Sequence, residues 1–327
     1  MALVSKLKIW TQAQPFAAKQ LLASDFLSNL NFLPYGTERN GYKMEYFTLA
    51  NGVKMPALGY GVYQVTKEEC ERCVLDALKA GYRHIDTAQA YFNEEEVGSA
   101  IEKSGIPREE IFITTKVWID NYGYEKAKKS VEESMKKLRT DYIDLVLLHQ
   151  PFSDYYGAWR ALEELYEAGK IHAIGISNFY VDRMIDFAAF NRIKPMVNQM
   201  ETHIYNQQKD LKGWADKYGV QLEAWGPFGE GRQGIFEDKT VGEIAKAHRK
   251  TPAQVMLRWN IQRGVVVIPK STHAERMAEN FDIFDFTLSD DEMQKIAAID
   301  KNESAFFSHN DPTTVEWFIG MVQKRRK

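Results

Sequence analysis

Cysteine is scarce: the 327-residue chain has two, Cys70 and Cys73. That excludes a disulfide-built scaffold and points to a reducing compartment, the cytoplasm. Both lie in KEECERCVLDALKAG, which has helical periodicity and neither a strand-to-helix turn nor further ligands. They read as two helix residues, not a redox or metal pair. Metal motifs are missing as well, since the seven histidines show no H-E-x-x-H or clustered spacing. No G-x-S-x-G elbow is present, which leaves Ser-His-Asp hydrolysis without support. No apolar run approaches the ~20 residues that a membrane span requires. Neither sign of charge is in excess: 42 Lys and Arg face 45 Asp and Glu, for a net charge of −3. Nucleic-acid binding is therefore not the expected task. What remains is 44% hydrophobic and 13% aromatic, ample for a sizeable core, and a monomer is the expected state.

The first 43 residues differ from the rest. They carry no h-region of a secretory signal, and their single Arg, Arg39, with the acidic Asp25 and Glu38 does not suit a mitochondrial transit peptide. Met44 then opens MEYFTLANGVKMPALGYG, which reads as a natural start. Residues 1–43 are taken as an extension of unknown role and residues 44–327 as one domain.

Asn51-Gly52 between two short alternating runs predicts a β-hairpin. After it the pattern repeats: ALGYGV, RHIDTA, IFITTKV, YIDLVLLH, IHAIGIS, PMVNQM, QLEAW and VVVIPK alternate with amphipathic helical segments. Continuously apolar strands between helices predict a parallel sheet covered on both faces. About eight units favour a closed α/β (β/α)8 TIM barrel over an open doubly wound sheet. The tail from Lys301 is expected to form a loop and a helix crossing the barrel mouth. Gly229 to Gly234 matches G-x-G-x-x-G, but IFEDKT intervenes before helical periodicity resumes, so a flexible loop is expected there and not a dinucleotide fingerprint.

Three of the apolar runs end on ionisable residues: Asp86, Lys116 and His149, with Tyr91 shortly after the first. Lys and Asp are expensive beside apolar strands unless paired or used. Their intervals match one strand-plus-helix unit, so parallel neighbours would bring all four side chains to the C-terminal edge of the sheet, where such folds keep their chemistry. A Lys ammonium lowers the cost of a tyrosinate, a carboxylate holds the Lys, and a histidine can orient a reacting oxygen. Each residue alone has an ordinary structural explanation; three at successive strand ends favour function.

The motifs GYRHIDTAQAYFNEEEVG, IFITTKVW, YIDLVLLHQP, GISNF, VNQME, AWGPF and IPKSTHAERMAEN, in that order, resemble the aldo-keto reductase family from about Phe47 to Asp300. Within it GYGVYQV and EAWGPF look most like bacterial members that reduce α-dicarbonyls and keto sugars. The resemblance implies NADPH-dependent reduction of aldehydes or ketones, with Tyr91 as general acid, Lys116 and Asp86 tuning it and His149 orienting the carbonyl. It also implies that Ser177, Asn178 and Gln199 hold a carboxamide, and that Trp225, where many members have tyrosine, stacks on nicotinamide beside Gly226 and Phe228. Lys270, Ser271, Arg276, Glu279 and Asn280 would hold the 2′-phosphate and adenine. Two cations and a hydroxyl at a helix start suit a dianion, which favours NADPH over NADH. Tyr63, Trp118 and His149, with Phe152 or Trp317, would line an aromatic pocket for a small-molecule carbonyl. Two alternatives stay open: a non-catalytic NADPH-binding redox-sensing subunit, and a barrel lyase or isomerase using Lys116 as a Schiff-base amine.

Overall fold

A computed structural model describes residues 44 to 325; the extension of residues 1–43 and its boundary lie outside the described residues. Strands β1 (Tyr46–Thr48) and β2 (Lys54–Pro56) pair antiparallel around Asn51-Gly52, the expected hairpin. Gly52 turns there at φ +89°, a conformation that side chains rarely adopt. Asn51 Nδ2 donates to the His172 carbonyl at 2.8 Å, at the start of a barrel strand. The hairpin thus covers the N-terminal end of the barrel, away from the ionisable residues.

Eight strands follow: β3 (Tyr60–Gly61), β4 (His84–Asp86), β5 (Phe112–Val117), β6 (Ile143–Leu148), β7 (Ile171–Ser177), β8 (Val197–Glu201), β9 (Gln221–Trp225) and β10 (Val266–Val267). They are parallel and lie side by side in chain order. The two ends of the sheet meet: Gly59 N donates to Val267 O at 2.8 Å, Val267 N to Ala57 O at 3.0 Å and Gly61 N to Pro269 O at 3.1 Å. The result is the closed (β/α)8 barrel that the alternating pattern predicts. Gly59 permits the closure, because a Cβ there would stand 2.5 Å from the buried His84 ring.

The helices bury one stripe each. In α1 (Lys67–Ala80) the buried residues Cys70, Cys73, Val74, Ala77 and Leu78 recur at helical spacing, and the helix stops at Gly81. Both cysteines are thus inward-facing helix residues. Helices α2 (Glu94–Ser104), α3 (Tyr124–Lys137), α4 (Tyr155–Glu167), α5 (Val181–Phe190) and α6 (Lys209–Tyr218) continue the ring. Between β9 and β10 the chain makes two helices, α7 (Lys239–His248) and α8 (Pro252–Gln262), where the sequence reading has one. A Thr251/Gln254 capping box with Pro252 in the first turn starts α8. Then come α9 (Ala274–Phe281), α10 (Asp290–Ala298) and α11 (Pro312–Arg325), the expected helix of the tail.

Gly229 to Glu237 is irregular, with positive φ at Glu230, Gly231, Gln233 and Gly234. Helix α7 opens only after it, on the side chain of Asp238, so the glycine motif forms a loop.

Candidate active site

Asp86 ends β4 and Lys116 is the fifth residue of β5; both side chains point into the barrel and are buried. Lys116 Nζ lies 2.6 Å from Asp86 Oδ1, 2.9 Å from Thr87 O and 3.4 Å from the Tyr91 hydroxyl. Tyr91 is carried by a single 3₁₀ turn, Gln89–Tyr91, directly after β4. His149, just past β6, sets its ring edge-on to Tyr91 with centroids 5.6 Å apart. Trp118 packs against the other side of His149 at 5.1 Å, and Tyr63 against Tyr91 at 5.1 Å. The four ionisable residues of the sequence reading therefore meet at the C-terminal mouth.

Lys116 pulls the Tyr91 phenol down, but burial weighs more, and Asp86 adds to it, so the phenol is pushed up to about 12. Without a ligand Tyr91 is a less acidic phenol than a free tyrosine, because a phenolate loses more on leaving water than one ammonium returns. Burial also works against the charge of Lys116, yet Asp86 and Tyr91 outweigh it and raise the ammonium. Burial raises the Asp86 carboxyl, against the pull of Lys116. With Nζ shared among three oxygens, Lys116 keeps its proton and Asp86 is the anion of the pair. A permanently charged Lys116 is a poor Schiff-base nucleophile.

Ser177 at the end of β7, Asn178 just after it and Gln199 in the middle of β8 line the same cavity, which encloses about 830 Å³. Gln199 Nε2 donates to Asp86 Oδ2 and to Glu223 Oε2, both at 2.9 Å. With both amide hydrogens engaged, what Gln199 offers a ligand is its Oε1 acceptor. Asn178 Nδ2 donates to His149 O at 3.1 Å and to Ser177 Oγ at 3.1 Å, and Asn178 Oδ1 accepts from Trp225 Nε1 at 2.9 Å. The Ser177 hydroxyl donates to Gln199 O at 3.0 Å, so the trio presents mainly acceptors, which match the NH2 of a carboxamide. Trp225, Gly226 and Phe228 form one wall.

Of the five residues expected to hold the phosphate and adenine, Lys270 lines the cavity, whereas Ser271, before α9, and Arg276, Glu279 and Asn280, on it, are not part of the lining. Lys270 and Arg276 are exposed. Ser271 Oγ accepts from His273 N at 3.1 Å and Glu279 Oε1 from Thr251 Oγ1 at 2.7 Å.

The tail supplies residues that sequence reasoning missed. Phe306, Phe307, His309, Phe318 and Met321 line the cavity together with the expected Trp317. Phe318 packs against Trp118 at 6.1 Å, and His309 Nε2 pairs with Gln150 Oε1 at 2.8 Å. Burial pushes the His309 imidazole down to about 4, so it is neutral at physiological pH. Phe152 stands behind Phe318 at 5.3 Å and is not part of the lining. No sequence signal marked these residues, because the tail has no strand to fix its register against the barrel.

Residues 48–301 match the aldo/keto reductase family. The chain belongs to that family. Its reaction is carbonyl reduction by an oxidoreductase. It is 49% identical to glyoxal reductase of Bacillus subtilis over 257 residues, which covers 78% of this chain and 92% of the relative. It is 42% identical over 258 residues to methylglyoxal reductase of Escherichia coli, covering 78% of this chain and 93% of that one. Among solved structures, an aldo-keto reductase of Bombyx mori in complex with NADP superposes with a TM-score of 0.78 at 32% identity, covering 84% of this chain and 97% of the other. Among the described residues no helix is long and apolar enough to cross a membrane.

Proposed function

We propose that the chain reduces small uncharged aldehydes and ketones with NADPH, Tyr91 delivering the proton to the carbonyl oxygen. The observation that carries the reading is the Tyr91 hydroxyl 3.4 Å from a buried ammonium that is itself pinned by Asp86. Bound NADPH supplies a hydride to the carbonyl carbon. Tyr91, protonated at neutral pH, donates to the oxygen as negative charge builds there, and Lys116 steadies the phenolate left behind. Asp86 fixes Lys116 in place, and His149 orients the carbonyl from the opposite side. Ser177, Asn178 and Gln199 would hold the cofactor carboxamide and Trp225 its ring. Lys270 and Arg276 would bind the 2′-phosphate, and the 229–237 loop would cover the pyrophosphate.

The substrate end of the cavity is a run of aromatic rings, from Tyr63 and Tyr91 through His149 and Trp118 to Phe318 and Trp317. The lining cations are elsewhere: Lys270 follows β10, and Arg232 on the β9 loop lies 4.5 Å over Phe306. With His309 neutral, nothing among the described residues at the substrate end compensates a carboxylate. Glyoxals and aromatic aldehydes are therefore favoured over keto acids, in line with the names of the glyoxal and methylglyoxal reductases among the relatives. The test is NADPH consumption with a carbonyl panel. Steady turnover of methylglyoxal or phenylglyoxal supports the reading; tight NADPH binding with no turnover across the panel would transfer support to a redox-sensing subunit.

A further inference from the structure

Beneath the cavity the barrel interior holds a second carboxylate, in the middle of β9. Glu223 has no exposed surface. It accepts from Gln199 Nε2 at 2.9 Å, and the same amide nitrogen donates to Asp86 at 2.9 Å. Barrel register produces this bridge, since Gln199 and Glu223 are direct cross-strand partners. We propose that Glu223 is a positioning residue for the reaction: it fixes the Gln199 amide with its acceptor toward the cofactor pocket, and its protonation state sets the charge beneath Lys116. The proposal rests on the carbonyl-reductase reading above.

The groups that face Glu223 are Asp86 and His84 of β4, Lys116 of β5 and Gln199 of β8; on its other flank the register partner in β10 is the apolar Val266. One ammonium thus faces two carboxylates in a buried layer. Such a pair of acids does not ionise together. Asp86 holds Lys116 at 2.6 Å and is the anion. Glu223 has only an amide hydrogen, with the His84 imidazole 3.8 Å away. Burial pushes that imidazole down to about 3, so it carries no charge to offer. Burial, with the Asp86 charge added, pushes the Glu223 carboxyl up to about 8. At neutral pH the layer therefore contains Lys116 charged, Asp86 charged and Glu223 protonated, with no net charge.

When the Glu223 O–H loses its proton to solvent at higher pH, a second anion appears under Lys116. It opposes the phenolate that forms as Tyr91 gives up its proton, so carbonyl reduction slows. Gln199 keeps its contact in both states, because its Nε2 donates to a carboxyl oxygen either way.

Two measurements test this. The infrared C=O stretch of a protonated carboxyl is followed across pH in wild type, Tyr91→Phe and Glu223→Gln. The expected result is a band that titrates near pH 8 in the first two proteins and is missing from Glu223→Gln. Because Tyr91→Phe needs no turnover for this reading, it separates failure of the positioning role from failure of the reductase assignment. The second measurement is kcat/KM for methylglyoxal reduction with each protein compared only with itself. Wild type is expected to lose about tenfold between about pH 7 and about pH 9.5, one unit of Tyr91 acidity; Glu223→Gln is expected to lose less than about twofold. A band that persists unchanged to alkaline pH, or superimposable profiles for the two proteins, would overturn the proposal.

Discussion

Lys116 Nζ stands 3.4 Å from the Tyr91 hydroxyl and 4.9 Å from the centre of its ring, near enough to act on the phenol through both oxygen and π-face. Its charge is held by Asp86, so the pair should be as important to the fold as to the reaction. Lys116→Met leaves Asp86 buried with an amide as its remaining partner. A loss of about 3–5 kcal/mol is expected in chemical denaturation. The double change Asp86→Asn with Lys116→Met removes both charges and should recover much of that loss while turnover stays at background. Equal stabilities for the single and double variants would contradict this.

Acid should destabilise the fold in part through the tail. His309 is neutral in the folded protein because burial holds its imidazole down to about 4 from an ordinary 6.5. In the unfolded chain the same group binds a proton below its ordinary value. Unfolding therefore takes up a proton between those limits, and stability falls as pH drops through that window. His309→Gln, which can still pair with Gln150, should flatten the decline. Denaturant midpoints measured from about pH 7 to about pH 4 check it; parallel slopes in both proteins would exclude His309 as the cause.

Substrate charge offers a third test. Methyl phenylglyoxylate and phenylglyoxylate present the same ketone and differ by the charge of a carboxylate, and among the described residues the aromatic end of the cavity has no cation for it. The ratio of their kcat/KM values should be about a hundredfold or more in favour of the ester, roughly the penalty of one poorly compensated buried charge. Met321→Arg, which introduces a cation at the lining, should narrow it. An unchanged ratio would show that carboxylates enter by another route.

Much of this arrangement was legible in the sequence, for identifiable reasons. Asp86, Lys116 and His149 were conspicuous because strand ends in apolar runs rarely carry ionisable groups without purpose. Asn51-Gly52 announced its hairpin through local turn chemistry alone. Glu223 sits in QLEAW on the same physical grounds as Lys116, but it falls in the middle of a short strand and not at its end, where the other ionisable residues stood out. Helix α8 carried a readable capping box at Thr251 and Gln254, and was overlooked because apolar residues surround the helix instead of forming one stripe. The help that Lys116 gives a Tyr91 phenolate was legible from the neighbours, but the larger opposing effect of burial was not. His309 and Phe318 depend on how the tail crosses the mouth, which no periodicity encodes.

The extension should be dispensable for the reaction. Every residue placed at the cavity lies after residue 60, and the family match starts at residue 48. A protein starting at Met44 is expected to keep kcat within about twofold of the full chain, well inside the ~1.4 kcal/mol of a tenfold change. A larger loss would give residues 1–43 a part in catalysis.

The most direct measurement pairs cofactor binding with a single turnover in Tyr91→Phe. NADPH should bind as in wild type, within about threefold, while the rate of hydride transfer to methylglyoxal falls by on the order of a hundred- to ten-thousandfold, the contribution of one positioned acid. Hydride transfer at the wild-type rate in that variant would contradict the assignment of Tyr91 as proton donor, and with it the account of the site.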